Sequence, residues 1–220
     1  MVIAEAFLDQ TPGEAPVKGF LHRTSESREA LVLTHGAGGN CNAPLLVALA
    51  EAFSASGISV LRCDLPFRQK RPHGPPSPAS AKEDQTGLWR AAELMKASFG
   101  GKVFLGGQSY GGRQASMLLA SDPSVAQALL LLSYPLHPPG KPQQLRTAHL
   151  PHLRVPTLFV SGTKDPFGTI AELEAARAMI PAPTQMVPIE GAGHSLLTKR
   201  NQDELVTSVI QAFLALTACL

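Results

Sequence analysis

The chain is short of cysteine, aromatic residues, long apolar runs and charge of one sign, and each shortage removes a class of protein. Three cysteines in 220 residues, Cys41, Cys63 and Cys219, form neither an even set nor a C-x-x-C pair. That fits reduced thiols in a cytoplasm better than a disulfide framework, with each cysteine read as a small packing residue. No apolar stretch approaches the ~20 residues that span a bilayer. The first ten residues carry Glu5 and Asp9 where a secretory signal is positively charged. The expected location is therefore cytoplasmic, away from membranes. Lys and Arg number 19 against 17 Asp and Glu, a formal net charge of +2 without a basic block, so nucleic acid is not an expected partner. No pair of His, Cys or carboxylate residues stands at metal-ligand spacing, and no metal site is expected.

What the chain has is apolar residues (44%), 19 glycines and 19 prolines. A chain of 220 residues suits one domain with a substantial core, taken as residues 1–220. After a possible hairpin turning at Thr11-Pro12-Gly13, short β-rich runs alternate with helical patterns, which predicts an α/β fold: a mostly parallel central sheet with helices on both faces. The strands are expected at Ala30 to Thr34, Ile58 to Cys63, Lys102 to Leu105, Ala128 to Leu132, Thr157 to Val160 and Gln185 to Ile189, mostly continuous apolar runs of the kind covered on both faces. Helical spacing links Leu45, Leu49 and Phe53, then Leu88, Ala92, Met95 and Phe99, then Ala115, Leu118 and Leu119, with a last helix near Asp203 to Leu216. Gly57 and Gly100 stop the first two. Proline-rich stretches at Pro66 to Pro78 and Tyr134 to Pro156 follow strands, so they are expected at the carboxyl edge of the sheet, where ligands bind, or else as stiff connectors.

Gly107-Gln108-Ser109-Tyr110-Gly111 sets a serine between two glycines after an apolar run and before a helix. This is the pattern of a nucleophile elbow, a strained strand-to-helix turn that projects a hydroxyl above the sheet. Composition alone would yield such a motif roughly 0.1 times in a chain of this length, so its context decides. A serine hydroxyl needs a base, and the base needs a carboxylate to fix its tautomer. The order demanded by this architecture is an acid after a late strand and a histidine after the last one. Asp165, past Leu158-Phe159-Val160, and His194, past Val187-Pro188-Ile189, stand in those places. Asp122 reads as a turn or cap residue. Asp64 follows an earlier strand, within reach of the site or paired with Arg62, Arg68 or Arg113. His22, His73, His137, His149 and His152 lie in turns or loops without the strand context and read as surface residues.

A tetrahedral oxyanion needs two N–H donors. Tyr110 N–H follows the nucleophile, and the loop Thr34-His35-Gly36-Ala37-Gly38-Gly39-Asn40 has the H-G-x-G form that supplies the second, from Ala37 with Gly38 as the alternative. His35 then ties the loop down rather than titrating. A dinucleotide-binding loop is excluded because Cys41 stands where a third small residue belongs and no acid follows ~20 residues on; a P-loop lacks its Gly-Lys-Ser/Thr ending.

With these motifs in this order the chain resembles the α/β-hydrolase superfamily over nearly its whole length. Leu33 to Gly39, Gly107 to Arg113, Ser133 to Gly140 and Gly162 to Gly168 are similar to the small dienelactone-hydrolase-like subgroup, which includes relatives of a testis-expressed protein and of a regulatory subunit of a histone-acetylating complex. The resemblance implies a serine hydrolase without cofactor, acting on a small-molecule acyl substrate. Dienelactone hydrolases proper use a cysteine nucleophile, whereas this chain has Ser109. The expected activity is hydrolysis of an ester or thioester, the alternatives being an amide hydrolase or a non-enzymatic scaffold on the same fold. Only about twenty residues separate Tyr134 from the next strand, too few for the large cap of many relatives. Arg113, one helical turn past Ser109, either braces the elbow through an acid such as Asp64 or, with Arg68, Lys70 and Arg71, binds an anionic substrate group.

Overall fold

The computed structural model describes residues 3–24, 28–198 and 200–220. Its strands are β1 (Ala4–Asp9), β2 (Val17–His22), β3 (Ala30–Thr34), β4 (Ser59–Cys63), β5 (Val103–Gln108), β6 (Ala128–Leu132), β7 (Thr157–Gly162) and β8 (Thr184–Ile189). They form one sheet in the order β1-β2-β4-β3-β5-β6-β7-β8. The hairpin β1–β2 and the pair β2–β4 are antiparallel and the other pairings are parallel.

Strand pleating sends alternate residues to opposite faces. Leu31, Leu33, Phe104 and Leu130 pack under α1 (Pro44–Ala55) and α6 (Gln202–Thr217). There Phe213 meets Phe53 and Phe104 edge-on, with ring centroids 5.5 and 5.4 Å apart. Val32, Leu61, Leu105 and Leu131 pack under α3 (Ser80–Phe99), α4 (Tyr110–Ser121) and α5 (Ile170–Arg177). Each fully buried Leu or Phe contributes roughly 1.5–3 kcal/mol, and covering both faces is why the central strands read as mostly continuous apolar runs. Gly57 and Gly100 follow α1 and α3 with φ of 93° and 68°.

Three features depart from the sequence expectation. β5 continues through Gly106 and Gly107, which pair with Leu130 and Leu131; glycines that read as a strand end are strand residues. Pro66–Lys70 form a short helix, α2, inside the first proline-rich stretch, because proline in the first helical turn loses no hydrogen bond. α5 begins at a capping box: Thr169 Oγ1 accepts from Glu172 N–H while the Glu172 carboxylate accepts from Thr169 N–H. Between β6 and β7 the chain forms only a 3₁₀ turn at Leu150–His152 and no separate cap domain. Among the described residues no helix is long and apolar enough to cross a membrane.

Candidate active site

The elbow is anchored on both sides. Ser109 N–H donates to Leu132 O at 2.8 Å, and Ser109 O accepts from Arg113 N–H at 3.0 Å. Between these bonds Ser109 adopts φ 50°, ψ −114°, a conformation that costs a residue with a side chain of order 1–3 kcal/mol. A Cβ on Gly111 would lie 2.5 Å from His35 O and 2.6 Å from Thr34 Cγ2, so glycine there is what lets the elbow sit against the loop after β3.

His194 Nε2 lies 2.8 Å from Ser109 Oγ, and its Nδ1 lies 2.8 and 3.0 Å from the two oxygens of Asp165. A carboxylate at Nδ1 holds the ring proton there and turns the Nε2 lone pair toward the hydroxyl. Asp165 is buried, and its Oδ1 also accepts Phe167 N–H at 2.9 Å. The Phe167 ring stacks on the His194 imidazole with centroids 4.1 Å apart. The loops carrying Asp165 and His194 are laced together: Thr163 N–H donates to Ile189 O at 3.0 Å and Lys164 N–H to Ala192 O at 2.9 Å. A Cβ on Gly162 would collide with Ala192 O, so this close approach also needs glycine.

Ala37 and Tyr110 border the same cavity as Ser109. The Tyr110 N–H belongs to the first turn of α4, whose amides have no helical acceptor and carry the positive end of the helix dipole. Among the described residues the Ala37 N–H has no backbone acceptor, and Ala37 rather than Gly38 borders the cavity. His35 fixes the loop as a neutral ring: its Nδ1–H donates to Gly36 O at 2.8 Å and its Nε2 accepts Leu65 N–H at 3.1 Å. Burial lowers its pKa, in keeping with a holding role.

Several expectations need correction. Arg68 does not face an anion; it is buried, and its guanidinium donates to the carbonyls of Ala37, Gly39, Arg71 and Gly74. Asp64 pairs with none of the arginines named for it. Its Oδ1 accepts Cys41 N–H at 2.7 Å and lies 3.6 Å from His35 Nε2. Arg113 is therefore not braced by Asp64 beneath the floor but borders the cavity itself. A side chain on the first turn of a helix leans back toward the N-terminus, which here is the Ser109 end. His22 and His137 are buried rather than at the surface, and His149 Nε2 lies 2.8 Å from Ser116 Oγ. Burial drives His22 and His149 down to about 4.

Three residues of the site escape sequence reasoning. Asp84, fully buried on α3, accepts Tyr110 Oη–H at 2.7 Å and Phe67 N–H at 3.0 Å, tying α2 and α4 together. Its pKa is raised by burial. Nothing in the sequence separates it from an acid on a solvent face. Phe167 lies in the Gly162 to Gly168 motif and Arg146 in the second proline-rich stretch, but nothing in either segment marks these two side chains. The cavity at Ser109 has a volume of about 370 Å³, walled by Pro75, Pro76 and Pro78 from one proline-rich stretch and by Pro135 and Arg146 from the other.

The same architecture recurs in solved structures. A dienelactone hydrolase from Anabaena variabilis superposes with a TM-score of 0.78 at 22% identity, covering 97% of this chain and 98% of that chain. An α/β serine hydrolase homologue from Coxiella burnetii gives 0.75 at 18% identity, over 96% and 99%. A Xanthomonas campestris member of the α/β serine hydrolases without lid gives 0.70 at 16%, over 96% and 94%. Among curated proteins, 50 residues, 23% of this chain, are 48% identical to polyketide synthase ThaQ of Burkholderia thailandensis, and they span 2% of that protein. A family model described as alpha/beta hydrolase domain matches residues 27–219; the chain belongs to the α/β-hydrolase domain family.

Proposed function

We propose that the protein is a serine hydrolase that cleaves a carboxylic ester or thioester through an acyl-enzyme. The observation that carries this reading is the continuous line from Asp165 through His194 to Ser109, with 2.8 Å at each link. In the proposed reaction His194 Nε2 takes the hydroxyl proton as Ser109 Oγ bonds to the carbonyl carbon, and Asp165 stabilises the imidazolium. The N–H groups of Ala37 and Tyr110 receive the oxyanion, each worth about 3 kcal/mol of transition-state stabilisation. Collapse breaks the bond to the alcohol or thiol, which leaves with the proton from His194. Water then repeats the sequence on the acyl-serine and frees the acid. A cavity of about 370 Å³ without a cap domain suits a small acyl group. The narrower kinship with the testis-expressed and regulatory-subunit relatives is likewise a proposal, carried by the motifs of residues 33–39, 107–113, 133–140 and 162–168.

Treatment of the folded protein with a fluorophosphonate tests the reading. One adduct is expected, on Ser109 by peptide mass spectrometry, and it disappears in Ser109→Ala. A folded wild-type chain that takes no label on Ser109 overturns it.

A further inference from the structure

Among the described residues, the Ser109 cavity is bordered by two arginines, Arg113 and Arg146, and by no Asp or Glu. Both are held on firm backbone. Arg113 sits in the first turn of α4, its N–H bonded to Ser109 O. Arg146 donates its own N–H to Leu136 O at 2.8 Å, and its carbonyl accepts Tyr134 Oη–H at 2.5 Å. A guanidinium offers five N–H donors; Arg113 reaches the buried Tyr134 hydroxyl with its side chain, and capacity is left over on both arginines. Arg146 Nη1 donates to Pro135 O at 3.1 Å, whereas Arg113 Nε is buried without an acceptor among the described residues.

Some other cations are paired with carboxylates: Lys70 with Glu83, Arg90 with Asp9, Lys96 with Glu93, Lys102 with Glu29 and Arg177 with Glu174. Among the described residues neither Arg113 nor Arg146 has a carboxylate partner. Their charges are felt locally: burial and then Arg113 lower the pKa of both Arg146 and His149. His149 stays neutral near pH 7, and Asp84, behind Tyr110, is engaged by Tyr110 and Phe67. Two partly buried cations close together without a counter-charge are unfavourable until an anion arrives. The planar forks of two arginines match the oxygens of a carboxylate or phosphate.

We propose that Arg113 and Arg146 form an anion subsite of the Ser109 cavity, which selects an acyl substrate bearing a carboxylate or phosphate group a few bonds from the scissile carbonyl. The subsite deepens the serine-hydrolase reading and rests on it. Kinetics test it with a neutral aryl ester, the aryl hemiester of glutarate and a phosphate-bearing aryl ester of matched length. Wild type is expected to show kcat/KM at least ten-fold higher for one of the anionic esters than for the neutral one, and the better of the two identifies the group. The ratio is expected to collapse toward one in Arg146→Gln, which keeps a donor for Pro135 O, and in Arg113→Gln; Arg113→Lys retains part of it. A wild-type ratio at or below one, or a ratio unaltered in both glutamine variants, overturns the subsite. Failure of the hydrolase reading looks different: no ester is cleaved and Ser109 takes no fluorophosphonate. Calorimetry with glutarate and inorganic phosphate then decides, because binding to wild type that is lost in both glutamine variants supports the subsite and absence of binding overturns it.

Discussion

Arg68→Met separates the role seen in the structure from the one open in the sequence. The Arg68 guanidinium donates to Ala37 O and Gly39 O at 2.8 Å each, to Gly74 O at 3.1 Å and to Arg71 O at 3.2 Å. It also lies over the Phe67 ring, 5.0 Å from the centroid. Hydrogen bonds from a charged group are worth about 1.5–3 kcal/mol each. They do not add when they share one side chain, and water reaches the half-buried loop once the arginine is gone. The expected loss of stability is about 3 kcal/mol. The kinetic effect follows from what the bonds hold. Gly36 O is pinned by His35 Nδ1–H and by Gly39 N–H, and Ala37 O by Arg68. Together they aim the Ala37 N–H, and losing Arg68 frees one of the two flanking peptides. Complete loss of an oxyanion donor costs ~10²–10³ in kcat, so under the proposed role of the Ala37 N–H a donor that is loosened rather than removed should cost ~10–100-fold, with KM nearly unchanged because such a donor acts on the transition state. Urea unfolding at constant m and steady-state kinetics on a neutral ester measure both. Arg68→Lys keeps the charge but spans fewer of the four carbonyls, so it should recover only part of kcat. A Met variant with kcat within two-fold of wild type refutes the argument. So does one whose main defect is a raised KM for anionic esters, since that puts Arg68 against substrate.

Further outcomes follow from buried groups and close contacts. His149 titrates near 4 in the fold against 6.5 for a free imidazole, so the unfolded chain binds more protons between those values and stability falls as pH drops through that window. The stability difference between wild type and His149→Gln should move against wild type by up to about 3 kcal/mol between pH 7 and pH 4; urea titrations showing a constant difference contradict this. For Asp84 the sign is opposite: a raised carboxyl pKa means the fold holds the extra proton above the ordinary carboxylate range, so this group's contribution declines as pH rises there. Asp84→Asn should remove that decline while keeping a hydrogen-bond partner for Tyr110, and pH profiles parallel to wild type would count against it. In Gly111→Ala the new Cβ meets His35 O, a backbone atom, at 2.5 Å, so fluorophosphonate labelling of Ser109 should fall at least 100-fold; near-normal labelling would mean the elbow yields cheaply.

Which parts of this molecule are legible in its sequence depends on whether the deciding physics is local. The central strands are, because a strand covered on both faces is apolar at nearly every position, as in Ala128–Leu132 and in Ala30–Thr34, where Thr34 alone is polar. The elbow is, because steric exclusion of a side chain at Gly111 leaves a mark at that residue. α5 is also marked, by the Thr169 and Glu172 pair that caps it, although its weak apolar pattern hides it from periodicity. Asp84 is not legible: a carboxylate in a twenty-residue helix with charged neighbours reads as solvent-facing, and only the packing of α2 and α4 against α3 buries it.

Arg113 is the instructive case. Its place four residues past Ser109 puts it on the correct helix face. The sequence alone leaves open whether a long side chain there runs below the sheet edge or back over it, because that turns on where counter-charges lie. Asp64 is the nearest acid by strand order, yet it is occupied by Cys41 N–H beside His35. With that acid taken and the helical bias of the side chain directed toward the N-terminus, Arg113 comes to the cavity wall, where Arg146 meets it from the second proline-rich stretch, in which nothing marks that one residue. A charge without its partner thus follows from two tertiary facts, the engagement of Asp64 and the return of the second proline-rich stretch over the elbow.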